Sequence, residues 1–156
     1  MSTNKFNLFL ENARFLSDKF DIVPLLYGSL GLEYLTGDIL DVDDIDILVP
    51  RVFITEQWHE FKSGLEEYGY VLVDEHEHTF VRDGVAYSYA DIEDLKSFAC
   101  INTEDIAMYK ADGVRFLLLS LEQYLAVYRQ SSKDGYRVNV RQKKDADKIR
   151  FIESKL

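Results

Sequence analysis

Phe6, Phe9, Leu10, Ala13, Leu16 and Phe20 recur at the three- and four-residue intervals of one helical face, so residues 4–19 are predicted as an amphipathic helix. The period then changes. Asp21 to Tyr27 is a short apolar run ending at Gly28-Ser29, which predicts a buried strand, and Leu30 to Leu35 predicts a short helix closed by Gly37. After an acidic loop over 38–43, Asp44 to Val49 alternates and is β-branched, as a second strand stopped by Pro50 should be. Helical spacing returns from Thr55 to Tyr68, through Trp58, Phe61 and Leu65, with Gly69 closing it. Tyr70 to Val73, Thr79 to Arg82 and Val85 to Ile92 read as three strands, the last two joined by the hairpin turn Asp83-Gly84. Residues 93–113 carry no single period. Val114 to Leu119 predicts another strand, and Ser120 caps a helix to about Gln130 with Leu121, Leu125 and Tyr128 on one side. Lys144 to Leu156 closes the chain as a helix that buries Ile149 and Ile152.

These elements define an α+β chain, a mixed β-sheet with flanking helices. Its 156 residues make one domain over 1–156, with a C-terminal helical basic segment over 120–156. At 47% hydrophobic residues there is apolar material for one core, and a chain near this length buries roughly 68–70% of its unfolded surface. Apolar runs such as Phe116 to Leu119 fall far short of the ~20 residues of a membrane span. Residues 1–20 hold Glu11, Asp18 and three basic side chains with no separate apolar segment, unlike a signal peptide. The single cysteine, Cys100, cannot close an intrachain disulfide, and a reducing cytoplasmic setting is expected.

Charge changes the picture when it is divided along the chain. Residues 1–128 hold 9 basic and 24 acidic side chains, and residues 129–156 hold 9 basic and 4 acidic. The net charge of −10 argues against sequence-independent binding to nucleic acid, which runs on phosphate neutralisation. A basic tail beside an acidic body can still grip a phosphate-bearing ligand locally. Its bland alternative is a solvated helix face.

The segment LYGSLGLEYLTGDILDVDDIDILVP, residues 26–50, carries most of the chemistry. With a period of two, Asp44 and Asp46 project from one face of their strand while Ile45 and Ile47 point to the other. Adjacent carboxylates repel, and a divalent cation removes the repulsion. Mg²⁺, held by one or two carboxylates plus substrate phosphate oxygens, suits an Asp-x-Asp pair. Gly28-Ser29 ends one strand and opens a helix, where free N–H groups and the helix dipole favour an anion. An exposed acidic strand end and an ordinary serine-capped turn are the plain readings of each feature alone. Their occurrence on two successive strands points to a joint phosphate and metal site.

A strand ending in Gly-Ser, a short helix, and then a strand reading Asp-apolar-Asp-apolar resembles the DNA polymerase β-type nucleotidyltransferase superfamily, including its minimal and antibiotic nucleotidyltransferases. Gly28, Ser29, Asp44 and Asp46 match that motif residue by residue. The resemblance implies a nucleotidyltransferase-like fold and transfer of a nucleoside monophosphate from a nucleoside triphosphate to a hydroxyl-bearing acceptor. It also implies Mg²⁺ or Mn²⁺, with Asp44, Asp46 and a third carboxylate on a later strand acting as catalytic residues and metal ligands. In VAYSYADIEDL the candidate is Asp91, on the alternation of Val85, Tyr87 and Tyr89, with Glu93 and Asp94 as alternatives. Gly28 and Ser29 would hold the β- and γ-phosphates, and Arg129, Arg141 and Lys144 are candidates to neutralise phosphate. KKDADKIRFI resembles a Lys-Asp helix of lincosamide-type members at Lys144 and Asp145.

Three departures stand beside the match. Fourteen residues separate Ser29 from Asp44, slightly more than usual. Leu30-Gly31-Leu32-Glu33 stands where many minimal members carry an arginine, and Tyr128-Arg129 where related proteins often carry a lysine. They motivate a second reading, an inactive binding module or antitoxin-like protein that keeps the fold.

Other motifs are weaker. His76 and His78 in Glu75-His76-Glu77-His78 share a face at strand spacing but lack the further ligands of a zinc site, so a polar hairpin is expected. The run from Asp41 to Asp46 lacks the alternation and the sixth-position glycine of an EF-hand loop. A phosphatase-type pair at Asp41 and Asp43 would have to follow a buried strand directly, and Thr36-Gly37-Asp38 precedes it instead. Cys100 has no evident base and is expected as a small buried residue, while Tyr87 and Tyr89 are expected in the core.

Overall fold

The structure is a computed structural model that describes residues 2–133 and 140–156, with side chains at 4–133 and 145–156. Helix α1 (Ser2–Phe20) leads into β1 (Leu25–Tyr27), α2 (Gly28–Thr36) and β2 (Ile45–Val49). A 3₁₀ turn over Arg51–Ile54 precedes α3 (Trp58–Glu67), and β3 (Val71–Asp74), β4 (Thr79–Arg82) and β5 (Val85–Asp91) follow. Then come α4 (Asp94–Ala99), β6 (Ala107–Ala111), β7 (Val114–Leu118), α5 (Leu121–Ser132) and α6 (Val140–Lys155). Among the described residues seven strands form one mixed sheet in the order β3-β4-β5-β2-β1-β7-β6. Among the described residues no helix is long and apolar enough to cross a membrane.

Two departures from the predicted boundaries have local causes. Residues 21–24 do not begin the first strand. Asp21 (φ 57) turns into the left-handed region, and the N–H groups of Asp21 and Ile22 return to the carbonyls of Ser17 and Leu16 to close α1. The period-free stretch 93–113 resolves into α4, a 3₁₀ turn and β6. Its second half forms a hairpin with β7 through Asp112-Gly113, both residues at positive φ.

Alternation sets the two faces of the sheet. Ile45, Ile47 and Val49 of β2 share a face with Tyr87, Tyr89 and Asp91 of β5, because the parallel pairing puts Ile45 beside Tyr87, Ile47 beside Tyr89 and Val49 beside Asp91. This face packs against α1 and α3. Asn12 donates to the Tyr89 hydroxyl at 2.6 Å, and the Phe61 ring meets Tyr89 edge-on at 5.3 Å. Phe9 does the same to Phe116 on β7 at 5.5 Å. Such aromatic pairs add about 0.5–1.5 kcal/mol each beyond their buried area. Tyr87 and Tyr89 are thus core residues, as expected.

Strand directions decide where a site can form. β1 runs antiparallel to β2, and β2 runs parallel to β5. The C-terminal end of β1 therefore lies beside the N-terminal ends of β2 and β5. Tyr27 is paired with Asp46, and Asp46 with Ser88.

Candidate functional site

Gly28 turns the chain from β1 into α2 with φ +66, a conformation that costs an L-residue about 1–2 kcal/mol. Space also demands glycine there. A Cβ at this position would stand 2.5 Å from Oδ2 of Asp46 and 3.3 Å from its Cγ, so the carboxylate lies directly against the turn. Tyr27 supplies no side-chain cap to the first N–H groups of α2. The Tyr124 hydroxyl, carried on α5, donates to the Gly28 carbonyl at 2.9 Å. Burial, and then the neighbouring Tyr128, Tyr27 and Asp46, raises its pKa well above the usual phenol, so it stays a donor.

Ser29 is the second residue of α2, and its Oγ accepts a hydrogen bond from Nζ of Lys148 at 3.2 Å. Lys148 is half-buried. Burial lowers its pKa, and the charge of Asp41 partly opposes that shift. Its helix, α6, is fixed on α5 by Asp145, which is almost fully buried and accepts from Ser131 Oγ at 2.8 Å. Sequence reading stopped at Lys144 and missed Lys148. The signal was a lysine on the apolar stripe of its own helix, one turn before the fully buried Ile152.

Asp44 stands just before β2 and is exposed. Arg129 forms an ion pair with Glu153 of α6 at 2.8 Å on an exposed surface. The side chains of Arg141 and Lys144 lie outside the described residues. Cys100, expected in the core, is exposed and ends α4 in a left-handed C-cap (φ 57). The His78 ring packs on Trp58 with centroids 4.7 Å apart.

Asp91 is not brought to the Asp44–Asp46 pair, and this corrects the expectation drawn from its alternation. It is paired with Val49, three residues beyond Asp46 and so about 10 Å further along the strand, and it faces the other side of the sheet. There it is nearly buried, bonded to Nε of Arg51, and accepts the Glu93 N–H at 2.8 Å. Asp94, one of the alternatives, is held by the same arginine at 3.2 Å. Among the described residues no group of three His, Cys, Asp or Glu side chains is placed to hold a metal ion. An exposed carboxylate, Asp44, and a half-buried one, Asp46, set against the Gly28 turn, are the donor set that a single Mg²⁺ bringing phosphate oxygens with it would take.

The mixed seven-stranded sheet with its flanking helices has the fold of solved nucleotidyltransferase-like structures. An antigenic nucleotidyltransferase-like protein from Paracoccidioides brasiliensis superposes with a TM-score of 0.61 at 15% identity, over 94% of this chain and 73% of that one. The antibiotic-resistance factor ANT(2'')-Ia superposes with a TM-score of 0.58 at 12% identity, over 99% and 92%. Its complex with adenylyl-2''-tobramycin gives 0.61 at 12%, over 99% and 90%. No family model matches the sequence. By sequence the chain belongs to the same family as the uncharacterized protein YnaI of Bacillus subtilis (strain 168), to which it is 39% identical over 147 residues, 94% of each chain.

Proposed function

We propose that this chain binds a nucleoside triphosphate at the Gly28-Ser29 turn and transfers its nucleoside monophosphate to a hydroxyl-bearing acceptor. The observation that carries the reading is the meeting, at one end of the sheet, of a positive-φ glycine, the Asp46 carboxylate, and a serine hydroxyl held by a half-buried lysine. Gly28 lets phosphate oxygens approach the backbone, Ser29 donates its hydroxyl to one of them, and Lys148 turns from Ser29 Oγ to neutralise their charge. Asp44 and Asp46 would hold a divalent cation, Mg²⁺ or Mn²⁺, which when bound offsets phosphate charge and polarises the phosphoryl oxygens. Arg141 and Lys144, in the first turns of α6, are proposed as further phosphate partners.

In transfer, the acceptor oxygen forms a bond to the α-phosphorus. The bond from that phosphorus to the bridging oxygen breaks, and pyrophosphate leaves with the electron pair. The hydroxyl proton goes to a base or to water. Support for transfer comes from the fold shared with ANT(2'')-Ia, one structure of which holds adenylyl-2''-tobramycin. A second reading, nucleotide binding without transfer, is favoured by the engagement of Asp91 with Arg51 on the far face.

The test is calorimetry with α,β-methylene analogues of ATP, GTP, CTP and UTP in Mg²⁺. At least one should bind the wild type, and Asp46→Asn should weaken it at least tenfold with an unchanged melting curve. Correctly folded wild type that binds none of the four refutes the proposal.

A further inference from the structure

Resting on the nucleotide reading above, we propose that the site seats one divalent cation rather than two, and that Ser88 is the residue that sets this number. Ser88 of β5 is the direct partner of Asp46 across the parallel pair, so their side chains leave the sheet on the same face, roughly 5 Å apart at the backbone. Any side chain of β5 that is to share an ion with Asp46 must come from this position. Here it is a half-buried hydroxyl, whose Oγ lies 2.8 Å from Oγ1 of Thr79 on β4. Its neighbours on the same face are Ala86 and Ala90, which bring no ligand.

The acids nearest in sequence do not substitute. Asp91 faces the other side and is committed to Arg51 and the Glu93 N–H, Asp94 shares that arginine, and Glu93 stands beyond the strand end. Mg²⁺ demands ligand oxygens about 2.0–2.1 Å away, so a carboxylate about 10 Å along the strand and on the opposite face cannot join Asp46 on one ion. Asp44 and Asp46 together suffice for one cation that arrives with the phosphates. A second ion, about 3.5–4 Å from the first, has no carboxylate on β5 to hold it.

The position makes the proposal reversible. Ser88→Asp would set a carboxylate beside Asp46 on the same face, where in the metal-free protein the two would repel and a second cation would relieve them. Ser88→Asn has the same shape without the charge.

The experiment titrates Mn²⁺ into the chain saturated with the bound α,β-methylene nucleotide and follows free Mn²⁺ by electron paramagnetic resonance. One ion per chain is expected for the wild type and for Ser88→Asn, and two for Ser88→Asp. Ser88→Asp should also gain more in melting temperature from Mn²⁺ than the wild type does. Two ions in the wild type, or one in a folded Ser88→Asp, overturn the role of Ser88 and leave nucleotide binding standing. Wild type that takes up neither nucleotide nor Mn²⁺ overturns both.

Discussion

Replacing Gly28 with alanine tests the site through its backbone. Two costs can be worked from the structure. The left-handed φ of +66 penalises an L-residue by about 1–2 kcal/mol, and the added methyl, 2.5 Å from Oδ2 of Asp46, brings an overpacking cost of about 1–3 kcal/mol. Gly37 separates them. At φ +79 it carries the same backbone penalty, yet nothing lies within 4 Å of its would-be Cβ. Since one kcal/mol lowers the melting temperature of a chain this size by roughly 2–4 °C, Gly37→Ala should lose about 2–8 °C and Gly28→Ala clearly more. Nucleotide binding divides the two further. To reach ordinary contact distance the Asp46 oxygen must retreat by about 1 Å, so Gly28→Ala should weaken the Mg²⁺-nucleotide complex at least tenfold, while Gly37→Ala stays within twofold. Differential scanning calorimetry and isothermal titration on both variants give the four numbers. Equal loss of binding in the two variants, or unchanged binding in Gly28→Ala, refutes the argument that the turn and the carboxylate act as one unit.

Lys148→Met should weaken nucleotide binding about tenfold or more at neutral pH by removing a charge-assisted contact. The sign of the pH dependence follows from the burial that lowers the lysine's pKa in the free chain. A bound phosphate raises it again, so between the two values binding takes up a proton, and the wild-type Kd should rise with pH beginning below the ordinary lysine value of 10.5. Titrations across that range check this, and the rise should be absent in Lys148→Met. Asp91→Asn should lower the melting temperature, since the nearly buried carboxylate loses its charge pair with Arg51, and leave the nucleotide Kd within twofold. Loss of Mg²⁺-dependent binding in that variant would show that the face assigned to Asp91 is wrong.

What could be read from the sequence was what depends on neighbours along the chain. The Gly28-Ser29 turn, the alternation of β2 and the Asp83-Gly84 hairpin each follow from local sterics, and α5 even carries its full capping box between Ser120 and Gln123. Pairing between distant strands lies outside that reach. The alternation placed Asp91 with Tyr87 and Tyr89 correctly, but those tyrosines belong to the core face, opposite the one that Asp46 takes. Only the register of β2 on β5 shows that Ser88 is the residue beside Asp46. The role of Lys148 is non-local in the same way: it stands out only once α6 is docked and its nitrogen meets Ser29, which is 119 positions away. Asp112-Gly113 carries a local turn signal, but the mixed stretch before it gives no period for the strand that the turn closes.

The acidic loop that leads into Asp44 is stapled by two helices, α1 and α6. Lys5 of α1 donates to the carbonyls of Val42 and Asp43, and Lys155, the last residue of α6, pairs with Asp38 at 2.6 Å. The path of that loop, and with it the setting of Asp44, is therefore fixed by two lysines that stand apart from the Gly28-Ser29 turn itself.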